Sequence, residues 1–82
     1  MYHVYILACK DKTLYTGIAV DLKKRVAEHN EGALGAKYTR ARRPVKLVYS
    51  RRFRTRSTAS REEYRIKRLS RTEKLALIRT TA

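Results

Sequence analysis

Residues Tyr2 to Cys9, Y-H-V-Y-I-L-A-C, form an unbroken apolar, β-prone run. A run of this length without polar alternation fits a strand buried on both faces. Such a strand needs cover on two sides. The polar turn Lys10–Thr13 comes next, followed by L-Y-T-G-I-A from Leu14 to Ala19. So short a connection favours a hairpin and hence an antiparallel pair. Gly17 interrupts the second strand, where glycine often marks a bulge or a close approach by another group.

The remaining chain supplies the cover. Asp21 is a good N-cap for a helix from Leu22 to about Asn30, with Leu22 and Val26 facing the core. Gly32 offers a left-handed stop. Ala33–Arg43 is ambiguous between a short helix and an ordered loop, and Pro44 breaks it. Val45–Phe53 reads as a third strand with Val45, Leu47 and Tyr49 on one side. Ser57 is a candidate cap for a helix whose apolar stripe is Ala59, Ile66 and Leu69. Ser70–Glu73 fits a capping box and opens a last helix carrying Leu75, Leu77 and Ile78. A chain this short makes one domain, residues 1–82, in the order β-β-α-(α)-β-α-α.

Charge narrows the partner. Twenty-one Lys and Arg face seven Asp and Glu, a formal net charge of +14. Between Gly32 and Ser60 there is no acid, only bases. Lys37, Arg40, Arg42 and Arg43 surround Tyr38, which could stack on an unpaired base while the arginines track a backbone. Arg51, Arg52 and Arg54 form a second basic run, suited to phosphate contacts that position without specifying sequence. Like charge repels itself in a compact fold, and a polyanion relieves that repulsion. Nucleic acid fits, because a guanidinium pairs with phosphate through two bonds at once. The basic run lacks the bulky apolar face of a membrane-surface helix. No apolar stretch approaches spanning length, and no signal peptide is visible, so the cytoplasm is the expected location. Such a net charge also favours a monomer. The single cysteine, Cys9, cannot pair internally and reads as a small buried hydrophobe.

Several chemistries are missing. A zinc hydrolase would need a second histidine near carboxylates at ligand spacing. The chain has no glycine-rich phosphate loop and no His-x-Glu with paired cysteines. It lacks the cluster of acids that two-metal nucleases use. Cleavage of a phosphodiester would therefore rely on few acids and many bases. Tyr5 and Tyr15 sit on the two strands of one hairpin and could share a pocket. Arg25 could clamp a phosphate oxygen. His29, one helical turn on, could move a proton at neutral pH. A carboxylate from the later helix could hold one hard divalent ion.

At these residues the chain resembles the GIY-YIG nuclease family, and most closely its small, stand-alone bacterial branch. His3-Val4-Tyr5 is similar to the first motif, with His3 in place of glycine. Tyr15-Thr16-Gly17 is similar to the second, with Thr16 in place of an apolar residue. Y-T-G-I-A-V-D-L-K-K-R-V-A-E-H-N-E-G resembles the strand–turn–helix that carries the family's Arg and His. A-S-R-E-E-Y-R-I-K-R-L resembles the helix that supplies its glutamate. The likeness runs from Tyr2 to about Lys74. It implies a small three-stranded antiparallel sheet flanked by helices, α/β in the broad sense and α+β more narrowly.

It also implies roles. Tyr5 would be the general base, Tyr15 would hydrogen-bond the water or the phosphate, and Gly17 would permit close packing. Arg25 would stabilise the transition state, His29 would assist proton transfer or orient Tyr5, and Glu63 would bind one metal ion, Mg2+ or Mn2+. A free phenol has a pKa near 10. Tyr5 therefore needs a cationic field, which Arg25, the metal and the overall charge would provide. The asparagine that many members place near the phosphate late in the domain has no counterpart, since Asn30 directly follows His29.

The expected activity is metal-dependent endonucleolytic cleavage of DNA with weak sequence specificity, preferring single-stranded or branched substrates. The alternative is a non-catalytic module, for DNA or RNA, that keeps the fold and the basic surface. For Glu63 itself, Ser60–Glu63 also fits a capping box. Helical spacing alone does not separate it from Glu62.

Overall fold

The computed structural model describes residues 1–32 and 37–81, without the side chains of Lys37, Tyr38 and Thr81. Its elements are β1 (Tyr2–Ala8), β2 (Leu14–Ala19), α1 (Leu22–Glu31), α2 (Lys37–Arg40), β3 (Lys46–Phe53), α3 (Arg56–Lys67) and α4 (Arg71–Thr81). The strands form an antiparallel sheet in the order β2-β1-β3. The apolar run is thus the central strand, and each face receives its cover. Val4 and Ile6 point to one side, with Tyr49, Ala59 and Ile66, and Leu77 and Ile78 of α4 pack there. Tyr5, Leu7 and Cys9 point to the other, with Ala19 and Val45, and Tyr15, Leu22 and Val26 pack on them.

The hairpin turn is pinned at both ends. The Cys9 and Lys12 amides donate to Thr13 and Cys9 carbonyls at 2.9 Å. The Asp11 carboxylate receives the Thr13 amide and hydroxyl on one oxygen and Arg42 Nε, at 2.9 Å, on the other.

Four local expectations are corrected. Gly32 ends α1 in extended backbone (φ −85°), not a left-handed turn. Crowding favours glycine there, because a Cβ would make a tight contact, 3.0 Å, with Glu28 Cα. In β3, Ile6 faces Tyr49 while Leu7 faces Leu47, so Val48 is an extra residue. This bulge turns Tyr49 to the face opposite Val45 and breaks the expected alternation. Helix α3 starts earlier than Ser57, capped by the Thr55 hydroxyl, which accepts from the Thr58 amide at 3.2 Å. Ser60 and Glu63 therefore lie inside α3, and the reading of that pair as a capping box fails. Of the apolar residues of α4, Leu77 and Ile78 pack on the core and Leu75 is exposed. The Ser70–Glu73 box forms as expected, with reciprocal bonds of 2.9 and 3.2 Å.

Candidate active site

The site is built where β2 has no side chain. Tyr5 and Gly17 are cross-strand partners. The Tyr5 ring lies across Gly17 so closely that a Cβ there would meet the hydroxyl at 2.6 Å and Cζ at 2.8 Å. Tyr15 flanks it, its ring 6.4 Å from that of Tyr5. Helix α1 brings His29 onto both rings edge-on, 5.9 Å from Tyr5 and 5.1 Å from Tyr15. The Tyr5 hydroxyl and His29 Nε2 lie 2.9 Å apart in a buried hydrogen bond.

On its other side, His29 Nδ1 lies 2.7 Å from the Thr39 hydroxyl. Both His29 and Thr39 are fully buried. Thr39 comes from α2, a four-residue helix inside the stretch whose form the sequence left open. Sequence reasoning missed it, since one threonine among bases carries no pattern of its own. It missed Glu28 too, although the i,i+3 spacing to Arg25 was visible. Arg25 donates to Glu28 at 2.9 Å.

Burial pushes the Tyr5 phenol up to about 12, and the neighbouring Tyr15 adds to the shift. Arg25 pulls the other way, by hydrogen bond and charge, and Glu63 pushes weakly upward. The expected lowering by a cationic field is therefore outweighed by desolvation in the protein's own groups. Burial also holds His29 below its ordinary 6.5, aided by the positive charges of Arg25 and Arg43 and opposed by Glu28.

The two adjacent glutamates of α3 diverge. Glu62 is held by Arg65 at 2.7 and 2.8 Å, with Arg51 at 3.7 Å. Its charge acts on Tyr49, on the sheet face away from Tyr5. The Glu63 charge is felt by Tyr5. Its carboxylate pairs only with exposed Lys67 among the described residues, at 3.2 Å. Among the described residues, no three His, Cys, Asp or Glu gather into a ligand set. Glu63 could offer a single carboxylate, a donor set that suits a hard ion retaining most of its waters and excludes a tetrahedral zinc cage. The carboxylate already receives a cation in the form of the Lys67 ammonium.

The basic residues divide in the same way. Arg43 donates to the carbonyls of His29 at 2.5 Å, Gly32 at 2.6 Å and Glu28 at 3.3 Å, capping the C-terminus of α1. Arg42 holds Asp11. Arg51 lies over the Phe53 ring at 5.2 Å. Arg40, Arg52 and Arg54 are exposed and pair with no carboxylate among the described residues. Arg52 is the cross-strand partner of His3 and so shares the sheet face of Tyr5. The side chains of Lys37 and Tyr38 lie outside the described residues, as do residues 33–36. Asn30 ties Val45, the residue before β3, to α1, donating to the Val45 carbonyl at 3.0 Å and accepting from its amide at 2.6 Å.

With this geometry in place, similarity to known proteins decides the family. The profile of the GIY-YIG catalytic domain matches residues 1–76. The chain belongs to the GIY-YIG family. It is 52% identical over 80 residues to a UPF0213 protein of Desulfotalea psychrophila, covering 98% of this chain and 73% of that one. It is 56% identical over 77 residues to a UPF0213 protein of Halobacterium salinarum, covering 94% and 99%. The solution NMR structure of a UPF0213 protein from Bacillus halodurans superposes with a TM-score of 0.63 at 43% identity, over 98% of this chain and 85% of that one. GIY-YIG domains are generally endonucleases that use a divalent metal, so the family implies nucleic acid as the substrate class. No described helix is long and apolar enough to cross a membrane.

Proposed function

We propose that this GIY-YIG protein is an endonuclease that hydrolyses DNA phosphodiester bonds in the presence of Mg2+ or Mn2+, acts as a monomer and has weak sequence specificity. Unpaired or branched DNA is the preferred substrate. The observation that carries the reading is the convergence of Tyr5, Tyr15, Arg25 and His29, with the charge of Glu63 felt at the Tyr5 phenol.

The raised phenol shapes the proton path. Burial holds the Tyr5 phenol well above its ordinary pKa, so it stands protonated in the field of the protein's own groups. It therefore works as a relay. The attacking water gives its proton to Tyr5 Oη as Tyr5 passes its own to His29 Nε2, 2.9 Å away. A histidine held below its ordinary pKa stands neutral beforehand, ready to accept. Tyr15 orients the water or the phosphate. The Arg25 guanidinium meets the charge that grows on the phosphoryl oxygens. Glu63 would hold the divalent ion, which when bound supplies Lewis-acid stabilisation of the phosphate. Exposed Arg40, Arg52 and Arg54 contact backbone phosphates, which gives affinity without sequence preference.

Labelled single-stranded, duplex and branched DNA test this directly, each with Mg2+, with Mn2+ and with chelator. Metal-dependent cutting, strongest on unpaired or branched substrates, is expected. Tight binding without cutting under any condition would replace the proposal with a non-catalytic nucleic-acid-binding module. A sequence-defined cut pattern on plain duplex would overturn the specificity claim.

A further inference from the structure

We propose that Thr39 is a positioning residue that fixes the tautomer of His29, taking the Nδ1 proton in a hydrogen bond and so presenting the Nε2 lone pair to the Tyr5 hydroxyl. The inference rests on the nuclease reading above and extends it to a residue outside the site's direct contacts.

The geometry points to this role. Thr39 Oγ1 lies 2.7 Å from His29 Nδ1, and Tyr5 Oη lies 2.9 Å from Nε2. Both ring nitrogens are thus committed within the protein, and the ring is fully buried. A neutral imidazole carries one proton on one nitrogen, and the partner of each nitrogen decides which. Only the Nδ1–H form leaves Nε2 free to accept from the Tyr5 hydroxyl. The opposite form would aim an Nε2–H donor at the Tyr5 oxygen. Its hydroxyl hydrogen would then point away from His29.

The surroundings hold Thr39 in place for this purpose. The Arg42 amide donates to the Thr39 carbonyl at 3.0 Å. Arg43, the next residue, binds the end of α1 at the carbonyls of Glu28, His29 and Gly32. The stretch bearing the hydroxyl and the helix bearing the imidazole are therefore fastened together beside the bond.

The step balances: the water oxygen bonds to phosphorus as the P–O3′ bond breaks, and the departing 3′-oxygen takes a proton from solvent. One proton moves from the attacking water to Tyr5 Oη and another from Tyr5 to His29 Nε2. The resulting imidazolium keeps its Nδ1–H on Thr39, now as a charge-assisted bond of greater strength. After product leaves, the added proton returns through Tyr5 to solvent. No oxidant or other reactant is needed.

The test reads the imidazole nitrogens by two-bond 15N–1H correlation at neutral pH, with His3→Gln separating the two histidines. The proposal predicts the Nδ1–H form for His29 in the wild type. Finding Nε2–H there overturns it, whatever the variants do. Thr39→Val should shift the tautomer population and lower kcat about tenfold or more with KM little changed. Thr39→Ser, which keeps the hydroxyl, should restore both. Thr39→Val with a wild-type nitrogen spectrum and rate would also overturn it. If wild type cuts no DNA at all, the nuclease reading fails, while the nitrogen spectrum still decides the role of Thr39.

Discussion

The Tyr5 hydroxyl occupies the space that a side chain at position 17 would need: a Cβ on Gly17 would lie 2.6 Å from it. The glycine is there because the phenol crosses the neighbouring strand, and φ plays no part, since no glycine has positive φ among the described residues. Gly17→Ala should force the ring aside and break its bond to His29. Overpacking of this kind costs about 1–3 kcal/mol. Chemical denaturation should show that loss, together with a collapse of kcat. An alanine variant that folds and cuts like wild type would contradict the placement of Tyr5.

Arg43 and Arg54 should separate structure from binding. Arg43 satisfies three carbonyls at the end of α1. Arg43→Ala should cost about 2 kcal/mol or more, as charged hydrogen bonds are worth about 1.5–3 each. Exposed Arg54 pairs with no described carboxylate, and Arg54→Ala should leave stability within about 0.5 kcal/mol. In salt titrations of DNA binding, Arg54→Ala should reduce the slope of log K against log salt by about 1. Unchanged slope would remove Arg54 from the interface.

A buried hydroxyl at Thr16 has no hydrogen-bond partner among the described residues. It stands where the second family motif carries an apolar residue. Leaving such a group unpaired costs about 1–3 kcal/mol. Thr16→Val should therefore stabilise the fold by about 1 kcal/mol, a rise of about 4–8 °C in Tm for a domain of this size. A lowered Tm would contradict this.

Burial of neutral His29 predicts a pH dependence of stability. Its folded pKa lies below the ordinary 6.5, so the unfolded chain binds the proton first as pH falls. Stability is then full above 6.5 and declines below it, by at most about 1.4 kcal/mol per pH unit. Asp11, Glu62 and Glu73, whose values are lowered from about 4, act at lower pH and leave this window clear. Urea unfolding between pH 7.5 and 5.5 should show the decline in wild type and a flatter profile in His29→Gln. Parallel profiles would contradict it.

The sheet and its order were legible because the chain writes them locally. The run Tyr2–Cys9 has to be central, the short turn has to make a hairpin, and Asp21 and Ser70–Glu73 mark helix starts where the structure has them. What was not legible depends on contacts between distant residues. The bulge at Val48 is set by pairing with β1, and no local feature of Val45–Phe53 announces it. Arg43 reads as one base in a basic run, and only the end of α1 gives it a structural task. The desolvation of Tyr5 depends on α1 closing over it, so sequence reasoning weighed the cationic field and not the burial.

Glu62 and Glu63 are neighbours with opposite assignments, and comparing them tests the account most directly. Glu62 is tied to Arg65 and Arg51 on the Tyr49 side, while the charge of Glu63 reaches Tyr5. Cleavage and binding of branched and single-stranded DNA should be measured with Mg2+ for Glu62→Ala and Glu63→Ala side by side. The account predicts that Glu63→Ala binds DNA and no longer cuts it, while Glu62→Ala still cuts. Cutting that survives in Glu63→Ala and disappears in a folded Glu62→Ala would contradict the site as assembled.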